Sequence, residues 1–285
     1  MPESHAAPIP VVVLPDGTPV PALGQGTWRM GEDPARTRRE VAALALGIDL
    51  GMTLIDTAEM YGDGGAERIV AQAMAGRRDE VFVVSKVYPH HAGRESAVMA
   101  CERSLQRLRT DRIDLYLLHW RGHIPLAETV DAFESLRRDG KIVRWGVSNL
   151  DLADMRELLA LAAGGHCATD QVLWHLGERG IEWDLRPSLR ARGIPVIAYS
   201  PLGEGRLLRA RALTKLAATY GATPVALALG WLLNQPGTIV IPQTANRAHV
   251  RANRAAAAIV LDPSLRAAID KSFPPPSGPS PLATT

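Results

Sequence analysis

Asp56, Tyr61, Lys86 and His119 lie at or just past the ends of three consecutive short apolar runs. Those runs are Thr53-Leu54-Ile55, Val81-Phe82-Val83-Val84 and residues 113–118. Each reads as a strand buried on both faces, and each is followed by a helical pattern. If the strands are parallel neighbours, their carboxyl ends gather a carboxylate, a phenol, an ammonium and an imidazole in one cleft. That set suits the reduction of a carbonyl by a hydride donor. A free tyrosine, with a pKa of about 10, is a reluctant acid, and a nearby ammonium stabilises its phenolate and lowers that value. Asp56 would hold Lys86 charged, His119 would orient the carbonyl, and Tyr61 would protonate its oxygen. No side chain delivers hydride, so a cofactor is required. Taken singly, each residue has an ordinary reading as a cap, a turn residue, a solvated strand end or a core histidine. Their complementary chemistry on one face carries the inference.

The elements that must position these groups alternate along the chain. Residues 11–14 and 18–20 flank Pro15-Asp16-Gly17, a tight-turn signal, and predict an N-terminal hairpin over 11–20. Strands are expected at 23–26, 53–56, 81–86, 113–119, 143–147, 168–172, 195–199 and 238–241. Helices are expected at 33–50, 66–75, 94–107, 126–138, after a cap at Asn149 or Asp151, and at 211–220, 224–233, 247–257 and 263–271. Asp33-Pro34 opens the first of these and Gly51 stops it. Eight strands alternating with helices predict an α/β fold, a (β/α)8 TIM barrel with an N-terminal β-hairpin and two extra helices, with its site at the carboxyl ends of the strands. An open dinucleotide-binding sheet fits less well, because Gly24-Gln25-Gly26 lacks a third glycine and no helix follows it directly. The whole chain, 1–285, is expected to form this one barrel domain, with 273–285 as a Pro-rich tail that loosely covers it or is disordered.

Composition narrows the classes. Hydrophobic residues make up 46% of the 285, enough to fill a large core, and the net charge of +2 with dispersed arginines argues against nucleic acid as a partner. Two cysteines, Cys101 and Cys167, make no disulfide framework, and no metal-ligand spacing exists, so no metal is expected. The first ten residues lack the pattern of a signal peptide and no run of 18 apolar residues occurs, which places the expectation in the cytoplasm, off the membrane.

Longer motifs add to this. The run Leu54-Ile55-Asp56-Thr57-Ala58-Glu59-Met60-Tyr61-Gly62 resembles the signature of the aldo-keto reductases. Val84-Ser85-Lys86 and Asp114-Leu115-Tyr116-Leu117-Leu118-His119-Trp120 resemble that family's next two motifs. Gly146-Val147-Ser148-Asn149, Gln171 and Ala198-Tyr199-Ser200-Pro201-Leu202 resemble its cofactor motifs. The likeness runs from about Leu23 to Asn253. It implies that Asp56, Tyr61, Lys86 and His119 form a catalytic tetrad with Tyr61 as proton donor. It also implies that Ser148, Asn149 and Gln171 bind a nicotinamide carboxamide, that Tyr199 stacks on the ring, and that the loop holding Ser200, Leu202 and Gly203 follows the pyrophosphate. The stretch from Gly24 to Glu32 resembles the bacterial branch that contains methylglyoxal and diketogluconate reductases.

At the adenosine end the resemblance weakens. Many NADPH-using members read Ile-Pro-Lys-Ser, then an arginine five residues after the serine and an asparagine four further on. Here the chain reads Ile241-Pro242-Gln243-Thr244, then His249 and Asn253. Both cationic positions depart, so NADPH is the first choice and NADH use stays open. Arg247, Arg251 and Arg254 share a helix face that would serve either a phosphate or solvent. Trp28, Tyr88 and Trp120 match substrate-wall positions and Trp174 is a further candidate, while Trp145, Trp183 and Trp231 read as packing. The short 120–125 connection and short tail imply an open mouth suited to small carbonyls. The implied activity is NADPH-dependent reduction of small aldehydes, 2-oxoaldehydes or keto sugars by a monomer or weak oligomer. Two alternatives are a lyase that forms a Schiff base at Lys86, against which Asp56 argues by keeping the lysine charged, and a non-catalytic nicotinamide-binding redox sensor.

Overall fold

The computed structural model describes residues 7–284, so the start of the N-terminal stretch and the last residue of the tail lie outside the described residues. Strands β1 (Val11–Val13) and β2 (Pro19–Pro21) pair antiparallel as the hairpin. Gly17, at φ +87°, makes its turn, and Arg144 holds that turn through Asp16 (2.5 Å) and the Thr18 hydroxyl (2.5 Å). Val12, Leu14 and Val20 on its inner face are buried in the common core.

Eight parallel strands follow: β3 (Gln25–Gly26), β4 (Leu54–Asp56), β5 (Phe82–Val87), β6 (Ile113–Leu118), β7 (Ile142–Ser148), β8 (Cys167–Leu173), β9 (Val196–Tyr199) and β10 (Thr238–Val240). Each pairs with its sequence neighbours. Parallel bridges Leu23 to Val240 and Gly26 to Gln243, with Gly24 N–H donating to the Val240 carbonyl at 2.9 Å, close the ring. The β strands from β4 to β10 are nearly all buried on both faces, which is why they read as continuous apolar runs rather than alternating ones.

The helices are α1 (Thr37–Asp49), α2 (Gly65–Ala73), α3 (Arg94–Leu108), α4 (Leu126–Arg138), α5 (Leu152–Ala160), α6 (Leu185–Arg190), α7 (Arg211–Thr219), α8 (Pro224–Leu233), α9 (Arg247–Ala255) and α10 (Pro263–Ser272). Helices α1 to α8 lie between consecutive barrel strands, with both α7 and α8 between β9 and β10, and α9 and α10 follow the last strand. Asp33 caps the short turn that leads into α1, and Gly51, at φ +86°, ends that helix. Asp151 caps α5 by accepting from the Ala153 and Asp154 amides, so of the two cap candidates Asp151 takes the role. The sequence pattern predicts no helix between β8 and β9. There α6 spans only six residues with Pro187 inside it, too short for a periodic signal, and its one clear marker is Asp184, which accepts from the Leu185 amide at 2.6 Å. Among the described residues no single helix is long and apolar enough to cross a membrane.

The tail from residue 274 to 284 has no regular structure, as its prolines require, but it lies against the barrel. Leu282 packs on the core, Arg179 Nη1 donates to the Phe273 carbonyl at 2.5 Å, and Thr284 reaches the main cavity.

Candidate active site

The loops at the carboxyl ends of the strands enclose a cavity of about 680 Å³, within the range usual for small-ligand sites. Asp56 ends β4, Lys86 sits near the end of β5, and His119 directly follows β6 with its amide donating to the Val87 carbonyl at 3.1 Å. Tyr61 comes from the turn after β4. That turn is set by a close backbone approach: a Cβ on Gly31 would stand 2.2 Å from the Gly65 carbonyl carbon, and Gly31 itself has φ +74°. Glu40, buried on α1, fixes the opposing turn by accepting the Gly31 amide at 2.9 Å.

The four groups meet. Lys86 Nζ donates to Asp56 Oδ1 at 2.6 Å, to the Thr57 carbonyl at 2.9 Å and to Tyr61 OH at 3.5 Å. Three acceptors match the three N–H bonds of an ammonium. Asp56 Oδ2 accepts from Gln171 Nε2 at 2.7 Å. Tyr61 OH lies 3.5 Å from His119 Nε2, with the rings edge-on at 74°. The two 3.5 Å contacts are at the long limit for hydrogen bonds, a looseness common in catalytic groups before substrate is engaged.

Burial dominates the ionisation of all four. It pushes the Asp56 carboxyl up and the Lys86 ammonium down, each opposed by the partner's charge. His119 is held well below its ordinary value, first by burial and then by the charge of Lys86, so it is a neutral imidazole near pH 7. Its Nδ1 is buried with no partner among the described residues, so a proton on Nε2 leaves only a lone pair, rather than an N–H, on the dry side. Tyr61 departs from the sequence expectation. Its pKa is raised well above 10, by burial first and then by the charges of Asp56 and Tyr199. Lys86 is tied to Asp56 at 2.6 Å, so the phenol faces an ion pair rather than a free cation. Tyr61 is therefore a fully protonated phenol.

Directly beside the tetrad, and bonded to it, stands a wall of hydroxyl and amide groups. Ser148 Oγ donates to the Gln171 carbonyl at 2.8 Å. Asn149, at φ +58°, donates to the His119 carbonyl and to Ser148 Oγ, both at 3.1 Å, and accepts from Tyr199 OH at 2.9 Å. Ser148, Asn149, Gln171, Tyr199 and Ser200 all line the cavity. Much of the polar capacity of Asn149 and Gln171 is thus engaged by the protein, and the Gln171 Oε1 remains as an acceptor for an amide. A half-buried tyrosine beside this wall fits a flat heteroaromatic amide such as nicotinamide.

The remaining expected residues divide. Gln243 lines the cavity edge, and Trp28 and Trp120 form walls. Leu202 and Gly203 lie behind the Ser200-Pro201 lip and do not line it. Thr244 and Asn253 line a small neighbouring pocket with Gly24 to Gly26, and His249 is exposed on α9. The three-arginine face of α9 is split: Arg254 donates to the Leu50 and Ala7 carbonyls at 2.9 and 2.8 Å, which removes it from any phosphate site. Tyr88 backs Trp120, with ring centroids 5.1 Å apart, instead of lining the cavity. Trp174 is not a wall. It is fully buried, its indole N–H donates to Glu182 at 3.0 Å, and it packs against Trp231. Trp183 is 47% exposed, so the reading of it as packing is also corrected, whereas Trp145 and Trp231 are core. Sequence reading missed Met60, Arg121, Asp154 and Thr284 in the lining. Arg121 had a signal in its place directly after His119-Trp120. Asp154 and Thr284 come from a helix start and a tail whose direction no local pattern reveals. Among the described residues no cluster could hold a metal ion.

Comparison with known proteins gives the family. Residues 22–273 match the Aldo/keto reductase family. Methylglyoxal reductase YeaE of Escherichia coli is 52% identical over 264 residues, covering 91% of this chain and 93% of that protein. Glyoxal reductase of Bacillus subtilis is 34% identical, covering 82% of each. A solved aldo/keto reductase from Klebsiella pneumoniae, in complex with NADP and acetate, superposes with a TM-score of 0.94 at 51% identity, covering 96% of this chain and 99% of that one. The chain belongs to the aldo/keto reductase family.

Proposed function

We propose that the protein is an NADPH-dependent reductase of small aldehydes, 2-oxoaldehydes such as methylglyoxal, or keto sugars. The observation that carries this reading is the Lys86 ammonium, held between Asp56 and Tyr61 while His119 Nε2 stands 3.5 Å from the same phenol. A carbonyl oxygen placed between Tyr61 OH and His119 Nε2 accepts from both. When bound, the dihydronicotinamide supplies hydride to the carbonyl carbon. His119, neutral and protonated on Nε2, orients the oxygen without competing as an acid. Tyr61 gives its proton to the oxygen as negative charge develops there, since an alkoxide is a stronger base than even a buried phenolate. Lys86 then stabilises the phenolate left behind, and Asp56 keeps Lys86 in place. Ser148, Asn149 and Gln171 would hold the carboxamide, and Tyr199 the face of the ring.

The family, the 52% identity to a methylglyoxal reductase and the NADP-bound neighbour support the substrate class and cofactor. A second solved neighbour, 50% identical, is in complex with NADPH. Arg247 and Arg251 are the exposed cations of α9 left for a 2′-phosphate, in place of Gln243 and His249. The lyase reading loses its ground, because Lys86 is fully buried and does not line the cavity that a substrate would enter. The same reading carries a cytoplasmic enzyme whose partners are its cofactor and a small carbonyl.

The test is NADPH oxidation with methylglyoxal by wild type and Tyr61→Phe, alongside NADPH binding followed by protein fluorescence. Turnover should fall by about 10² to 10⁴-fold in the variant while binding is retained. Equal rates in the two proteins would remove Tyr61 as the acid. Binding without turnover on a broad carbonyl panel would favour a redox-sensing role.

A further inference from the structure

Arg121 follows Trp120 and lines the cavity mouth together with Asp154. Its guanidinium is already engaged. Nη1 donates to Asp154 Oδ1 at 2.5 Å and to Glu157 Oε2 at 2.7 Å, and Nη2 donates to Glu157 Oε1 at 2.9 Å. Asp154 and Glu157 stand one turn apart on α5, so the two carboxylates clamp one fork and raise its already high pKa. One cation against two anions leaves the cluster negative.

Among the described residues no other cation of the lining is open. His119 is neutral, and Lys86 lies beneath the lining, paired with Asp56. Arg29, beside the mouth, lies over the Trp28 ring at 4.2 Å and meets Glu204 at 3.5 Å. An arriving carboxylate would have to displace one that the helix already holds in position, and would face the uncompensated charge of the other.

We propose that the Arg121–Asp154–Glu157 bridge is a charge filter on the substrate: it admits short uncharged carbonyls and disfavours those that carry a carboxylate, such as 2-oxo acids and keto-sugar acids. This rests on the carbonyl-reductase reading and narrows its substrate class. Arg121 is the specificity-determining residue, and α5 sets its state.

The experiment compares kcat/KM for methylglyoxal and glyoxylate at saturating NADPH. Both are small aldehydes, and a carboxylate in one replaces the acetyl group of the other. Wild type should prefer methylglyoxal. In Asp154→Asn/Glu157→Gln the preference should narrow by about tenfold or more, chiefly through a lower KM for glyoxylate, as a freed guanidinium pairs with the substrate. Adding Arg121→Met to that variant should abolish the gain. Wild type alone supplies a second measurement that needs no altered protein: sodium chloride should narrow the preference, because the bridge is partly exposed and its field is screened. An unchanged ratio in the double variant, or a gain that survives Arg121→Met, overturns the proposal. Wild type that reduces both substrates equally well refutes the filter alone, whereas wild type that reduces neither refutes the functional reading beneath it.

Discussion

Asp170 takes no part in the chemistry above, yet it should tilt the stability of the whole barrel with pH. It lies on β8 beside Gln171, is fully buried, and neither carboxyl oxygen has a hydrogen-bond partner among the described residues. The Leu150 backbone amide favours the carboxylate, but by less than burial opposes it. Burial raises the Asp170 pKa well above the ordinary 3.8, and the charges of Asp154 and Asp151 add to the rise. The folded protein therefore keeps a proton that the unfolded chain releases. Above about pH 3.8 the unfolded state binds one proton fewer, so ∂ΔG/∂pH is negative for this group. Its contribution is fully present below the unfolded pKa and is lost as pH rises toward the folded one. The slope is about 1.4 kcal/mol per pH unit throughout that window.

Asp170→Asn keeps the shape and removes the titration. Urea unfolding of both proteins at a series of pH values above about 3.8 should show the variant gaining on wild type as pH rises, by at most about 1.4 kcal/mol per pH unit and levelling off once the folded-state pKa is passed, with equal m-values. Taking the difference between the two proteins cancels every other titrating group they share. Two parallel curves would mean that Asp170 is ionised in the folded protein, and the argument from burial without a partner would be wrong.

Three other perturbations separate roles within the fold. Lys86→Met leaves the buried Asp56 carboxylate with only the Gln171 amide, and should cost about 3–5 kcal/mol in urea unfolding as well as turnover. Part of that stability should return at acid pH as Asp56 takes a proton. Gly31→Ala forces a Cβ to 2.2 Å from the Gly65 carbonyl carbon at a positive φ, and should cost about 2–4 kcal/mol while displacing the Tyr61 turn, so stability and kcat should fall together. Trp174→Ala should cost about 3–5 kcal/mol with no change in the KM for methylglyoxal in the protein that remains folded; a rise in KM would restore Trp174 to the substrate wall.

The alternation that positions the site was legible because parallel barrel strands are buried on both faces and end in polar residues. Strands β4, β5 and β6 each show this within a few residues of Asp56, Lys86 and His119. The helix α6 was not legible, since six residues with a proline inside give no period to detect. Tryptophans were read least well. Trp28, Trp174 and Trp183 share one residue type, yet one lines the cavity, one is core and one is exposed. A large amphipathic ring stabilises any of those places, so its type alone does not select among them. The arginines of α9 failed for a related reason: helical spacing put three on one face, but the carbonyls that capture Arg254 belong to residues more than 200 positions away in sequence.

The reversal at Tyr61 has a deeper cause. The sequence displays which charges stand near the phenol, and from them a lysine predicts a lowered pKa. It does not display how much water the fold excludes, and in a cleft this dry the loss of hydration outweighs a cation already neutralised by Asp56 at 2.6 Å. The same exclusion keeps His119 neutral and makes the unpartnered Asp170 retain its proton. A barrel that buries its strands on both faces thus favours the uncharged form of every isolated acid or base along them. Only a group given a partner within hydrogen-bond distance, as Lys86 is by Asp56, retains its charge. For a reduction this division is useful: the proton stays on the phenol until charge develops on the substrate oxygen, and a fixed cation, Lys86, is placed where the phenolate will form.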